Sequence, residues 1–427
     1  MTGFTAEVFQ NEYLAAGANV VDAVVTVRAT EAGGEATDPS DAVEVIVIDC
    51  SGSMREERGA KMRSAITATM AAVDHIRDGV MFAVIAGIDG AYTIYPQQPG
   101  LVRADARTRE EAKAAVSQVR AKGGTAIGTW LRSAAALFES YPSSINHCIL
   151  LTDGKNQSET SRQLDEAIAT CMGLFQCDAR GLGTDWNVEE LRRVANALLG
   201  TVDIIPRPED MEAEFKALTE AAMGKEVGNV ALRLWTPKGS QIEFLKQVAP
   251  SLDELSGKAQ PVDELTADYP LGAWAKDEER DYHLRIRIPP GNVGDERLAA
   301  RVALAINNQA QPAALVRAVW TSDSALSTRL NREVAHYTGQ AELADAIAEG
   351  LAARSSGDEA TATVKLGRAV QLAHEAGNDD TVKLLGKVVD VDDPETGTVR
   401  LKGRVETADE MALDVRSTRT VRVNRGG

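Results

Sequence analysis

Across residues 43–224, short apolar runs alternate regularly with segments of helical periodicity. The runs VEVIVID, VMFAVIAGI and HCILLTD have apolar residues on both faces, which is typical of strands buried on both sides of a parallel sheet. Helical patterns separate the runs, as at 58–76, where Met62, Ile66 and Met70 recur at helical spacing. The sequence therefore predicts an α/β fold, a doubly wound and mostly parallel sheet with helices on both faces.

A different pattern follows residue 224, where short runs alternate between apolar and polar positions. In DYHLRIRI, Tyr282, Leu284 and Ile286 face one way and the charged residues face the other, a period of two that marks a half-exposed antiparallel strand. Four further runs have strand character, at 229–236, 241–248, 298–307 and 313–320. Residues 19–30 also predict a strand, which would make the α/β domain an insertion between two pieces of one β-sandwich.

The carboxyl-terminal part lacks strand patterns until about residue 390. AELADAIAEGLAARSS and EATATVKLGRAVQLAHEAG have helical periodicity. The residues beyond them are polar and rich in turn formers, so at most a short hairpin is expected there. The predicted domains are 1–40, strands that join the β-sandwich; 41–224, the α/β domain; 225–321, the β-sandwich; 322–390, a helical region; and 391–427, a polar tail.

The charge balance restricts the class of partner. Asp and Glu total 63 against 46 Lys and Arg, a formal charge of −17, whereas nucleic acids and anionic membranes bind basic surfaces. No apolar run approaches the length of a spanning helix, and the amino terminus carries no secretory signal pattern. We therefore expect a cytoplasmic protein that neither binds nucleic acid nor inserts into a membrane.

The cysteines suit the same compartment. None of the four lies in a CxxC pair, and four are too few for a disulfide framework in 427 residues. We expect all of them to be buried free thiols, which fits a reducing cytoplasm. They are Cys50, Cys148, Cys171 and Cys177.

Oxygen-bearing side chains follow two predicted strands and precede one predicted helix. The first strand leads into DCSGS, which presents Asp49, Ser51 and Ser53. GGT precedes a helix and presents Thr125, and TDG ends a strand and presents Asp153. The carboxyl ends of parallel strands meet at one edge of the sheet, where α/β proteins bind ligands. Hard cations such as Mg²⁺ prefer oxygen ligands, so these side chains are candidate ligands of one divalent ion.

Each segment also has a purely structural interpretation. Ser and Gly after a strand often form only a turn, and Thr125 alone would serve as a helix cap. Asp153 alone would cap the turn that follows it. The three segments occur in order, each at the appropriate end of its element, which favours one metal site over three separate turns.

These segments resemble the metal-ion-dependent adhesion site of the von Willebrand factor type A family. The family motif consists of Asp-x-Ser-x-Ser, a distant Thr and a more distant Asp, and this sequence matches it at every position. The matching residues are Asp49, Ser51, Ser53, Thr125 and Asp153. The resemblance covers about residues 43–222 and suggests a cytoplasmic protein of bacterial type.

The resemblance implies how an ion would be held and used. Ser51, Ser53 and Thr125 would ligate it directly. Asp49 and Asp153 would often act through water. An open sixth position would then accept an Asp or Glu side chain from a partner protein. The hydroxyl-rich ligands favour Mg²⁺, with Mn²⁺ or Ca²⁺ as the other possibilities.

No catalytic machinery accompanies these segments. The sequence has no G-x-S-x-G elbow, GGTAIGTW lacks the lysine of a phosphate-binding loop, and the five histidines show no ligand spacing. We therefore predict a non-enzymatic, metal-dependent protein-interaction module. The resemblance also allows an alternative, an accessory or regulatory subunit of an AAA ATPase or of a signalling or stress-resistance complex.

Overall fold

The structure is a computed structural model that describes residues 3–30, 41–141, 143, 145–306 and 308–423. The chain divides into two units. The first unit contains residues 1–34, 230–271 and 276–427, and the second contains residues 35–229 and 272–275. All five candidate ligands belong to the second unit.

The strands of the described part of the chain are numbered in chain order. They are β1 Gly3–Gln10, β2 Tyr13–Ala15, β3 Val20–Thr30, β4 Ala42–Asp49, β5 Met81–Gly87, β6 Ala91–Tyr95, β7 Val102–Arg103, β8 Ile145–Thr152, β9 Gln176–Leu182, β10 Val202–Ile205, β11 Lys225–Trp235, β12 Gln241–Ala249, β13 Asp253–Glu254, β14 Gln260–Pro261, β15 Thr266–Ala275, β16 Glu279–Arg287, β17 Glu296–Ile306, β18 Gln309–Thr321, β19 Val389–Asp393 and β20 Thr398–Leu401.

The α-helices of the same residues are numbered likewise. They are α1 Glu56–His75, α2 Ala106–Ser117, α3 Ile127–Glu139, α4 Ser161–Cys171, α5 Val188–Ala197, α6 Met211–Met223, α7 Ser324–Ser327, α8 Arg332–Ser355, α9 Glu359–Glu375, α10 Asp379–Val388 and α11 Thr407–Arg416.

The sheet of the second unit has the order β10-β9-β8-β4-β5-β6, with β7 paired to β5. The strands from β10 to β5 pair in parallel, and β6 and β7 add antiparallel pairs. Every residue of β4 is buried, because its apolar side chains point to both faces of the sheet. Helices flank this parallel-rich sheet, which confirms the predicted α/β fold.

The helices pack on the two faces of the sheet against apolar side chains of its strands. Ile46 and Ile48 of β4 lie in one core with residues of α1, α2 and α6. α3 packs against β4 and β5, and α4 packs against α3 and α5. The sequence does not predict β6 or β7, because both are short and carry polar residues beside their apolar ones.

The first unit contains two further sheets, with the orders β1-β3-β16-β12-β13 and β14-β15-β11-β17-β18-β2. Strand β3, predicted at 19–30, pairs antiparallel with β16. Tyr282, Leu284 and Ile286 of β16 are buried as predicted, and His283 is buried as well. The sequence does not predict β15, because its Pro and Gly argue against a strand.

The helices α8 to α11 share a core with the hairpin of β19 and β20 in the first unit. The expectation of at most a hairpin after residue 390 is wrong, because α11 follows the hairpin. This helix has few apolar residues, and Ala412, Leu413 and Val415 are the buried ones. So short a stripe gives a weak helical pattern in the sequence, and packing against α8 and α10 stabilises the helix.

Two other expectations can be compared with the structure. The four cysteines are buried and free, as predicted. Among the described residues, no helix combines the length and the apolar character needed to cross a bilayer.

Candidate metal centre

The candidate ligands lie in three loops of the second unit. β4 ends at Asp49 and its parallel neighbour β8 ends at Thr152, with Ile48 opposite Leu151 in the register. The residues after these two strands therefore leave the sheet side by side at its carboxyl edge. The third loop immediately precedes α3 and contains Thr125.

The first loop is folded by its own polar side chains. The backbone N–H of Ser51 donates to Oδ1 of Asp49 at 2.7 Å, and the hydroxyls of Ser51 and Ser53 lie 2.8 Å apart. Residues Gly52–Arg55 form one 3₁₀ turn, and Met54 within it is fully buried. The buried methionine anchors the turn, and the two hydroxyls are held on the same side of it.

Backbone hydrogen bonds attach the third loop to the first. The N–H of Lys122 donates to the carbonyl of Cys50 at 2.6 Å, and the N–H of Gly52 donates to the carbonyl of Gly123 at 2.9 Å. Gly123 has a φ of +77°, and a Cβ there would lie 2.8 Å from Oδ1 of Asp89. Glycine is therefore required at this turn, which carries the chain to Thr125.

The second loop connects both carboxylates. The hydroxyl of Ser53 donates to Oδ1 of Asp153 at 2.5 Å. Oδ2 of Asp49 accepts from the hydroxyl of Thr152 at 2.7 Å and from the N–H of Asp153 at 3.4 Å. Thr152 is not among the predicted ligands, although it directly precedes Asp153 at the end of a strand.

Thr125 completes the set of five. A Cβ placed on Gly154 would lie 3.4 Å from the hydroxyl oxygens of both Ser53 and Thr125, so these two oxygens flank the same small space. Among the described residues, no group forms a hydrogen bond with the Thr125 hydroxyl, although Thr125 is almost fully buried. The structure thus brings all five predicted residues together and leaves the Thr125 hydroxyl without a hydrogen-bond partner among the described residues.

Burial sets the electrostatics of the cluster. Asp49 and Asp153 have no exposed surface, Ser51 is nearly buried and Ser53 is partly exposed. Burial raises the pKa of Asp49 to about 6, against the lowering effect of its hydrogen bonds with Ser51 and Thr152. Two buried carboxylates side by side favour a nearby cation. The partly exposed Ser53 lies on the solvent side of the cluster.

Among the described residues, one cation contacts the cluster. Nζ of Lys61, on α1, lies 2.9 Å from Oδ2 of Asp153 and 2.9 Å from Oε2 of Glu56. The lysine side chain is only 7% exposed, and that of Glu56 is 58% exposed. The sequence alone does not predict Lys61 as a residue of the site. The available signal is its position four residues before Ala65, which places both residues on the same face of α1.

The donor set fits a hard divalent cation. Three hydroxyls and two carboxylates lie together at one edge of the sheet, and oxygen ligands of this kind are those that Mg²⁺ prefers. Among the described residues, no group of three or more His, Cys, Asp or Glu side chains is arranged to hold a metal ion. A metal site in this part of the chain would therefore depend on hydroxyl ligands.

The histidines lie elsewhere in the described chain. His147 contacts Glu44 and Asp178 at the amino ends of the central strands, and His283 contacts Asp22. Among the described residues, no histidine bonds to Ser51 or Ser53. Among these residues the serine hydroxyls therefore lack the adjacent histidine of a Ser–His pair.

Comparisons with known proteins identify similar domains and folds. A family model described as von Willebrand factor type A domain matches residues 44–204, and one described as von Willebrand factor type A C-terminal domain matches residues 371–417. The second match includes the unpredicted helix α11. No curated protein matches the chain.

Solved structures extend the comparison to the whole chain. The structure of a von Willebrand factor type A protein from Catenulispora acidiphila is 51% identical, covers 99% of this chain and 98% of its own, and has a TM-score of 0.93. The ArnB paralog VWA2 from Sulfolobus acidocaldarius is 16% identical over 98% of this chain and 100% of its own, with a TM-score of 0.61. The human COPII-coat protein Sec24c is 10% identical over 93% and 60%, with a TM-score of 0.52. The last two similarities concern the fold alone.

Proposed function

The chain belongs to the von Willebrand factor type A family, and from this premise we propose that it is a metal-dependent protein-interaction module. In this proposal Ser51, Ser53 and Thr125 hold Mg²⁺, and an Asp or Glu side chain of a partner protein completes the site. Asp153 accepts a hydrogen bond from Ser53, and Asp49 accepts one from Thr152, so the two carboxylates position the loops around the ion. The four buried free cysteines favour a reducing compartment such as the cytoplasm for this interaction.

One observation carries the proposal. Five oxygen-bearing side chains from three separate loops meet at the carboxyl edge of the sheet, and the Thr125 hydroxyl has no hydrogen-bond partner among the described residues. A hydroxyl oxygen that forms no hydrogen bond within the described chain has lone pairs available to ligate a cation.

The chemistry of the ligands explains why the partner would be acidic. Bound Mg²⁺ supplies a positive charge at the surface of the module. Hydroxyl oxygens cancel none of that charge, and the ammonium of Lys61, 2.9 Å from Oδ2 of Asp153, offsets one of the two carboxylate charges beside the ion. An incoming carboxylate therefore meets an incompletely neutralised site, which favours recognition of Asp or Glu over neutral side chains.

Binding rather than catalysis is the role we propose for the site. Ser51 and Ser53 bond to each other, and no histidine contacts either of them among the described residues. Short hydrogen bonds instead hold Asp49, Ser51, Ser53 and Asp153 in place, which preorganises the site for a ligand.

The test is capture of a partner with and without metal. We expect the immobilised protein to retain a partner from its own cell extract in Mg²⁺, and to release it when EDTA is added. Asp153→Ala should abolish capture and weaken Mn²⁺ binding, measured by calorimetry, at least about tenfold. Ser51→Ala is the second variant, for use if Asp153→Ala folds poorly, because it leaves the Lys61–Asp153 pair intact. It should also abolish capture and weaken Mn²⁺ binding.

Ser158→Ala is the matched control. Ser158 is exposed and outside the ligand set, and its backbone N–H donates to the carbonyl of Thr125. It should bind metal and partner like the wild type. Capture that survives both EDTA and Asp153→Ala would refute the proposal.

A further inference from the structure

Lys61 occupies an unusual position for a lysine. Its side chain is almost fully buried on α1, and its ammonium lies 2.9 Å from Oδ2 of the fully buried Asp153. Buried lysines are rare unless they are paired. Since Oδ1 of Asp153 accepts from Ser53, the lysine and the serine together engage both oxygens of this carboxylate and fix its orientation.

The charges at the candidate site can be counted from these contacts. Asp49 and Asp153 contribute two negative charges when ionised, and Lys61 contributes one positive charge. Among the described residues, no other cation contacts either carboxylate. Glu56 also pairs with Lys61, but its side chain is 58% exposed, so solvent screens its charge. The site therefore carries a net charge of about −1 before a metal binds, rather than −2.

We propose that Lys61 is a built-in counter-cation that lowers the affinity of the site for a divalent metal. The same charge leaves the loaded site with an excess of about +1 instead of zero, which strengthens its attraction for a carboxylate of the partner. Lys61 also keeps Asp153 paired when no metal is bound. This inference rests on the proposed function, since it concerns the regulation of the same site.

A purely structural lysine would behave differently. If Lys61 only held Asp153 in place, its removal would weaken metal binding, because the carboxylate would lose its orientation. If its charge is the main effect, its removal strengthens metal binding, because two carboxylates attract the ion without an opposing ammonium. The two roles thus predict opposite signs for one measurement.

The experiment is Mn²⁺ titration of Lys61→Met by isothermal calorimetry, together with thermal unfolding in EDTA. Methionine keeps most of the length of the lysine stem without its charge. We expect Mn²⁺ to bind about tenfold more tightly than to the wild type, which corresponds to about 1.4 kcal/mol. We expect the metal-free variant to melt at a lower temperature than the wild type, because Asp153 loses its counter-charge.

Lys155→Met is the matched control. Lys155 is exposed and lies two residues from Asp153, so the variant removes the same charge from the neighbourhood without breaking the ion pair. Its Mn²⁺ affinity and melting temperature in EDTA should change by much less than those of Lys61→Met.

Glu56→Gln provides a second test that does not depend on changing a buried residue. Removing the Glu56 charge leaves the ammonium of Lys61 less neutralised, so Mn²⁺ binding should weaken by about twofold to threefold. Equal or stronger binding by Glu56→Gln, or equal or weaker binding by Lys61→Met, overturns the inference. A wild-type protein that binds no Mn²⁺ overturns the proposed function instead, so the two failures are distinguishable.

Discussion

The two ends of one parallel sheet both contain buried carboxylates, yet they differ in what surrounds them. At the carboxyl end, Asp49 and Asp153 lie beside hydroxyls in loops. At the amino end, Glu44 of β4 and Asp178 of β9 lie on either side of His147 of β8. Both clusters are held by the same central strands, so strand packing alone does not explain the difference between them.

We call the cluster at the amino end saturated, because each of its carboxylate oxygens has a hydrogen-bond partner. Nδ1 of His147 lies 2.9 Å from both oxygens of Glu44, and Nε2 lies 3.0 Å from Oδ2 of Asp178. The other oxygen of Asp178 accepts from the N–H and the hydroxyl of Thr201 at 2.7 and 2.6 Å. Burial lowers the pKa of His147, but the adjacent carboxylates outweigh it and raise that pKa to about 10. The imidazolium therefore supplies a fixed positive charge, and every carboxylate oxygen has a partner.

The cluster at the carboxyl end retains a polar group that is free to bind a ligand. Its one contacting cation, Lys61, approaches from α1 and leaves the hydroxyl side open, and Thr125 has no side-chain partner among the described residues. We interpret the saturated cluster as structural and the unsaturated one as the binding site. In this interpretation, unused donors and acceptors rather than buried charge distinguish the two ends of the sheet.

The largest expected effect is on stability at the amino end. His147→Leu leaves the carboxylates of Glu44 and Asp178 buried without their cation, and we expect it to lower the free energy of unfolding by about 3–5 kcal/mol. Urea denaturation measures this value. Mn²⁺ affinity should remain at the wild-type level, since the cluster lies at the opposite end of the strands from the candidate ligands.

The double variant Glu44→Leu/His147→Leu is the control for this prediction. It removes one carboxylate together with the cation, and Asp178 keeps its hydrogen bonds to Thr201. It should be more stable than His147→Leu alone. If the double variant is the less stable of the two, volume rather than charge decides at this end, and the interpretation as a charged structural cluster is wrong.

A smaller effect is expected from the proton on His147 alone. The pKa of this histidine is about 10 in the folded state and about 6.5 when unfolded, so the folded state holds the proton more tightly. The stabilisation is then fully present below about pH 6.5 and is lost as the pH rises through about 10. The difference in unfolding free energy between the wild type and His147→Gln should therefore be larger at pH 6 than at pH 10, measured by urea denaturation at both. A difference that does not change with pH would mean that His147 is neutral between its two carboxylates.

The sequence predicts the carboxyl end better than the amino end, for a local reason. Asp49, Ser51 and Ser53 fall within five residues after a strand, and Thr125 and Asp153 also stand next to recognisable elements. Because parallel strands end at a common edge, local signals are enough to bring these residues together. The structure places all five there.

Residues whose roles depend on packing could not be predicted in this way. The large apolar residues of α1 face the core as the sequence indicates, with Met62 buried and Ile66 and Met70 packed against the core. The small Ala65 and Ala68 are fully buried beside them, and Lys61 lies on this second stripe, which small residues do not mark in the sequence. Likewise, Glu44 and His147 are paired through the strand register, which a single sequence does not reveal.

The smallest expected effect separates two neighbouring threonines of the candidate site, each replaced by the isosteric valine. Among the described residues, the Thr125 hydroxyl has no hydrogen-bond partner, so Thr125→Val should change the metal-free unfolding free energy by less than about 1 kcal/mol. It removes a proposed ligand, so Mn²⁺ affinity should fall at least about tenfold. Thr152 donates to buried Asp49, so Thr152→Val should cost about 1–3 kcal/mol of stability.

The comparison of Thr125→Val with Thr152→Val tests, within a single site, the distinction drawn between the two ends of the sheet. A hydroxyl that serves the fold should cost stability when it is lost, as the residues of the saturated cluster do, and a hydroxyl that serves binding should cost only metal affinity. Calorimetric titration with Mn²⁺ and urea denaturation in EDTA measure the two quantities on the same samples. If Thr125→Val loses as much metal-free stability as Thr152→Val while it binds Mn²⁺ normally, Thr125 is a structural residue, and the division between saturated and unsaturated clusters does not hold.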